Sequence, residues 1–126
     1  MRNFIILTIC LIFLVGSGIL QLSYLNSSSK YLISDVEYIQ NLVDNNKFKE
    51  AKEHYENLNK TWNNMSNIWC IFIHHNETEA LKEYMVNFER YIDLKNKENI
   101  YVMSGQITNK LESIIKKQNI CIDNVF

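Results

Sequence analysis

The sequence predicts an all-α protein, an N-terminal transmembrane helix followed by an antiparallel four-helix bundle or two stacked helical hairpins. Three observations predict it. Phe4 to Leu25 is a run of 22 residues without a charge. From Leu32 onward apolar residues return every three or four positions, the period of a helix with one buried face. Proline is absent from all 126 residues, which suits long uninterrupted helices. The chain therefore divides into a membrane anchor or uncleaved signal-like segment over 1–25, a polar linker over 26–30 and a helical domain over 31–126.

As a helix, Phe4 to Leu25 is long enough to cross a hydrocarbon core about 30 Å thick. Arg2 and the amino terminus would stay inside by the positive-inside rule, with Tyr24 at the outer interface. The competing reading takes Arg2 as the n-region, Phe4 to Val15 as the h-region and Gly16-Ser17-Gly18 as a cleavage site. Ile19, Leu20, Leu22 and Leu25 prolong the apolar run past the glycines and favour the anchor. Either reading makes the remainder extracytoplasmic, and the anchor makes the protein a single-pass membrane protein with its N-terminus inside and its C-terminal domain outside.

Asn26-Ser27-Ser28-Ser29 breaks the apolar run and reads as the linker. Leu32, Val36, Ile39 and Val43 then mark a first bundle helix ending near Asp44-Asn45-Asn46. Phe48, Ala51, Tyr55, Leu58, Trp62, Met65, Trp69 and Phe72 alternate spacings of three and four without a miss, the clearest signal in the chain. Asn76 with Glu79 has the form of a capping box. It opens a third helix with the stripe Leu81, Met85, Phe88 and Ile92, widened by Tyr84 and Tyr91. After the turn Lys95-Asn96-Lys97, Ile100, Met103, Ile107, Leu111 and Ile114 line a fourth helix, with Gly105 as a candidate bend. Short turns imply antiparallel neighbours.

In this arrangement the second helix, about 26 residues or roughly 39 Å long, would overhang at the membrane end. The C-terminal tail would arrive at the same end. Trp69, Ile71, Phe72, Ile73, Ile122 and Phe126 are therefore candidate contacts with the bilayer or with a membrane-embedded partner; the alternative is that the two segments cover each other at the base of the bundle. Cys70 and Cys121 would share that end, outside the cytoplasm, where a disulfide can persist.

All 14 acidic residues and 12 of the 13 basic ones follow Leu25, a net charge of −2. The charges are interspersed, so no basic field draws the domain to nucleic acid. There is no Gly-rich phosphate loop, no Cys-x-x-Cys and no His-Glu-x-x-His. No cofactor is expected, and no nucleophile and base pair suggests an enzyme. The one cluster with metal-ligand chemistry is His74-His75-Asn76-Glu77-Thr78-Glu79, from which His75, Glu77 and Glu79 are candidate ligands. The structural reading of the same residues is capping by Asn76 and Glu79 and dipole compensation by Glu77. His54 reads as a solvated residue. Trp62 and Trp69 read as core, with a ligand-binding aromatic wall as the alternative.

The apolar N-terminus, the Trp62-x6-Trp69 pair, the apolar run after it, His75-Asn76-Glu77 and the Leu81-led helix together resemble family 4363 of the domains of unknown function. Those are small membrane-anchored proteins of Clostridium-like spore-forming bacteria, and the likeness covers nearly the whole chain. In that family the His-x-Glu is commonly followed by Ile-Asp, where Thr78-Glu79 stands here. The resemblance implies a bacterial envelope or spore membrane, a polytopic membrane protein as partner, and no enzyme activity. The function expected is a membrane-tethered, extracytoplasmic interaction module, an accessory subunit that docks on another envelope protein or associates with itself. A small-ligand or metal-binding sensor using the His75, Glu77 and Glu79 corner is the alternative.

Overall fold

The structure, a computed structural model, describes residues 1–71 and 73–125, and of residues 120–125 only the backbone. Four helices account for nearly all of it: α1 (Arg2–Asp44), α2 (Phe48–Trp69), α3 (His75–Asp93) and α4 (Lys97–Val125). Each packs on its neighbour in the chain, and α4 closes the ring against α1. The expected choice is thereby resolved in favour of an up-down-up-down bundle, with no strand among the described residues.

The core is made of the predicted stripes. Leu32, Val36, Ile39 and Val43 of α1 meet Ala51, Tyr55, Leu58, Trp62 and Trp69 of α2, all buried. Leu81, Met85, Phe88 and Ile92 of α3 and Ile100, Met103, Ile107, Leu111 and Ile114 of α4 complete it. Each fully buried large side chain removes apolar area worth about 1.5–3 kcal/mol from water. One polar group is satisfied at the centre: the Tyr55 hydroxyl donates to the Met85 carbonyl at 2.9 Å.

The two turns at the end of the bundle away from the N-terminus are built alike. Asn46 and Lys95 adopt left-handed backbone conformations, with φ of 61° and 55°. The amide of Lys47 then bonds the Leu42 carbonyl at 2.8 Å and that of Asn96 the Tyr91 carbonyl at 3.1 Å. Both are Schellman closures of the preceding helix. Asn tolerates this conformation through its short polar side chain, whereas Lys carries the full Cβ penalty. Asn96 also caps α4, its Oδ1 accepting from the Asn99 amide at 3.1 Å.

Four expectations are corrected. The polar stretch 26–30 is not a linker, because α1 runs unbroken through it for 43 residues, about 64 Å. The Ser28 hydroxyl donates to the Tyr24 carbonyl at 2.8 Å, so a serine that could have broken the helix is accommodated by it. With Leu25, Ser28 and Ser29 buried, the bundle begins inside the segment assigned to the anchor. Second, α2 stops at Trp69 instead of continuing to Ile73. A straight helix would have to expose part of the apolar run Ile68 to Ile73. The turn instead sends both Trp69 and Ile73 into the core, with the Ile73 amide bonded to the Trp69 carbonyl at 2.7 Å. Third, α3 is capped by His74, whose Nδ1 accepts from the Asn76 amide at 3.3 Å, and not by an Asn76–Glu79 box. Fourth, α4, with 29 residues, is the long partner of the bundle. It runs through Gly105 without interruption. The Ser104–Gln40 side-chain bond at 2.8 Å sets its register on α1. Counting equally along the two antiparallel helices from that bond, the end of α4 comes about level with Ile19.

The apolar half of α1 stands apart from this core. Its 18-residue most apolar window has no residue buried, and the helix is long and apolar enough to cross a membrane.

Two substitutions test the backbone assignments. An added Cβ at Gly105 meets nothing within 4 Å, so Gly105→Ala should stabilise the bundle by about 0.5–1 kcal/mol. Lys95→Gly should do the same by about 1 kcal/mol. Urea unfolding in detergent reads both, and a loss of stability in either variant would refute the corresponding geometry.

Candidate membrane-proximal interface

Where α2 ends, its last residue is tied to α1. Trp69 is fully buried, and its indole Nε1–H donates to the Ser28 hydroxyl at 3.1 Å. Trp62, one helical repeat earlier, meets Trp69 edge to face with ring centroids 5.3 Å apart and planes at 88°. Such a pair stabilises by about 0.5–1.5 kcal/mol beyond its buried area. Between Trp62 and Leu32, Leu58, Leu81 and Leu111 only a void of about 10 Å³ remains, room for no more than one water. The two indoles are packed core, as their phase predicted.

Ile71, in the α2–α3 turn, has 79 % of its surface exposed, against 0 % for Trp69 and 5 % for Ile73. Trp69 and Ile73, expected among the membrane or partner contacts, are therefore withdrawn from that role, since side chains sealed in the bundle cannot touch a lipid or a second protein. Ile71 keeps the exposure that role requires. Phe72, Phe126 and the side chain of Ile122 lie outside the described residues. So does the side chain of Cys121, the partner considered for Cys70, which is itself exposed.

The polar corner does not converge. Glu77 faces α4, where Lys110 Nζ and Lys117 Nζ each approach its carboxylate to 2.8 Å. These two ammonium groups, Lys110 foremost, hold the carboxyl below its ordinary value near 4.5 against the opposing effect of burial. His75 and Glu79 point instead to solvent, with Nε2 and Oε1 3.9 Å apart. On a helix, positions 75 and 79 share a face and position 77 turns away from it. The three candidate ligands are thus split between two faces, and no cluster of three or more His, Cys, Asp or Glu side chains suited to a metal forms among the described residues. Glu77 clamps α3 to α4.

Other polar pairs lie farther along the bundle. Lys52 bridges Glu89 at 2.8 Å and Asp93 at 2.9 Å, joining α2 to α3. His54, expected to be solvated, is partly covered. Its Nε2 is 3.3 Å from Asp35 Oδ1 and its ring lies 4.6 Å from that of Tyr38. Sequence reasoning missed Ser28 as the partner of Trp69, because no local pattern couples residues 41 apart. It also missed Lys110 and Lys117, although their spacing of seven places them on one face of α4.

The geometry describes a helical bundle with an apolar N-terminal extension. A family model for a domain of unknown function, DUF4363, matches residues 19–125. The chain belongs to the DUF4363 family. No curated protein and no solved structure matches it. The DUF4363 region begins inside the apolar half of α1 and ends with α4. The family's unit is thus the bundle together with the stretch of α1 that leads into it.

Two measurements probe this interface. Ser28→Ala leaves the buried Trp69 N–H without its acceptor and should cost about 1–3 kcal/mol in chemical unfolding. A cost near zero would show that the bond contributes nothing. A carboxyl held below its ordinary value contributes stability that is fully present above about pH 4.5 and is lost as the pH falls through the lowered value. Glu77→Gln should therefore be less stable than wild type at pH 7, with the gap closing on acidification below pH 4. A gap independent of pH would rule out the ion pairs as its source.

Proposed function

We propose that this DUF4363 chain is a membrane-tethered interaction module, an accessory subunit that presents its helical bundle to another protein of a bacterial envelope or spore membrane. In this reading α1 crosses the bilayer once, with Arg2 and the amino terminus inside and the bundle outside. The observation that carries the proposal is the continuity of α1, whose bare apolar half passes without a break into the core of the bundle. A domain joined to its anchor by a rigid helix is held at one height and in one attitude, which suits docking on a neighbouring membrane protein. A freely diffusing binder has no need of it.

The outer faces offer scattered apolar side chains for contact, among them Tyr31 on α1, Val86 on α3 and Tyr101 and Val102 on α4, all exposed. A photo-crosslinking amino acid placed at 31, 86, 101 or 102 in cells should join the chain to one integral membrane protein from one face of the bundle and not from the others. Crosslinks only to a second copy would replace the proposal with self-association. A C-terminal reporter found in the cytoplasm, or a bundle released from membranes after cleavage, would overturn the tethered topology.

A further inference from the structure

We infer that the α2–α3 turn is a second membrane contact, an interfacial foot in which Ile71 enters the boundary between headgroups and acyl chains of the same leaflet from which α1 emerges. The inference rests on the reading that α1 crosses the bilayer. The apolar segment ends at Leu25, and Ser28 follows it by three residues, roughly 4.5 Å of helix rise. The headgroup region extends about 5–7 Å beyond the hydrocarbon on each side, so Ser28 stands within it. Trp69 is bonded to Ser28 at 3.1 Å. Helical side chains lean toward their own N-terminus, which for α2 is the end away from the membrane. The Trp69 backbone therefore lies at or below the level of Ser28. Ile71 comes two residues later in the chain and so stands near the level of Ser28 and Leu25.

What the turn exposes fits that location. From Ile68 to Ile73 there is no charged residue, so the turn itself brings no ionised group to the interface. The fold has already drawn Trp69 and Ile73 inward, and it leaves Ile71 and part of Ile68 outward on the same turn. Lys30 on α1 and Lys116 on α4, both exposed, stand within about a turn of this level by the Ser104–Gln40 register. Their ammonium groups lie where lipid phosphates would be. An Ile tip with flanking ammonium groups is complementary to a bilayer surface, and its continuity with α1 makes that surface the one within reach. A single transmembrane helix leaves its domain free to turn about the helix axis. A second attachment on the neighbouring helix pair removes that freedom and gives the bundle a fixed outward face.

The test uses the full chain with Cys10, Cys70 and Cys121 replaced by Ser. It is reconstituted at low density in vesicles of phosphatidylcholine and phosphatidylglycerol, and a nitroxide is attached at Ile71→Cys, at Leu94→Cys in the exposed turn at the opposite end, or at Leu11→Cys in the apolar half of α1. Collision with dissolved oxygen, which concentrates in lipid, is compared with collision with a water-soluble nickel chelate. The expected ratio of oxygen to nickel accessibility at position 71 is several-fold above that at 94 and below that at 11. Equal ratios at 71 and 94, with 11 immersed, overturn the foot and leave the transmembrane reading standing. A label at 71 shielded from both reagents also overturns it, because protein and not lipid then covers the turn. A label at 11 that behaves like the one at 94 overturns both readings together.

Discussion

The bond from the Trp69 indole to the Ser28 hydroxyl ties the end of α2 to α1 at the place where the apolar half of α1 enters the bundle. Ser28 sits where a polar stretch follows a long apolar one, a point at which a chain commonly leaves the helix. Its hydroxyl is used twice, donating to the α1 backbone and accepting from Trp69. The largest side chain of the core is thereby placed against the helix that carries the apolar extension. An indole N–H buried without an acceptor costs about 1–3 kcal/mol, a large share of a stability that for a domain of this size is about 5–15 kcal/mol. Ser28 meets that requirement at the place where α1 enters the bundle, so core packing and helix continuity reinforce each other.

The core was readable from the residues because burial repeats with the helical period. Each stripe position predicted from Leu32 to Ile114 is buried or packed against the core wherever its side chain is described. The errors in the fold lie mostly where a helix was expected to begin or end. Asn26 to Ser29 looked like a linker because local composition cannot register that Trp69 will cover Ser28. α2 looked longer because Phe72 continues the three-and-four spacing, while the run Ile68 to Ile73 has more apolar surface than one face can hide. Asn76 with Glu79 matched a capping box, yet His74 took the cap because the turn placed its imidazole beside the Asn76 amide. Helix interiors are set by many residues acting in phase, whereas a terminus is decided by one or two contacts, often distant in the chain.

The polar corner shows the same limit for function. His75, Glu77 and Glu79 are neighbours in the sequence, but helical geometry gives position 77 a different face from the other two. The partners of Glu77 are 33 and 40 residues away in the chain, and only the pairing of α3 with α4 brings them near. Of the residues most suggestive of chemistry, Glu77 thus holds two helices together, while His75 and Glu79 face solvent. Of the apolar run at the end of α2, the structure leaves exposed, among the described side chains, chiefly Ile71.

The unbroken length of α1 also has a mechanical consequence. A stiff rod converts a change of angle at one end into a displacement at the other. From Leu25 to Asp44 the helix rises roughly 28 Å, so an inclination of 20°, the average for helices in bilayers, carries the distal turns sideways by about 10 Å. A thinner bilayer favours a more inclined helix. Were α1 to cross a bilayer as proposed, a change of lipid thickness would be felt as a displacement of the distal turns.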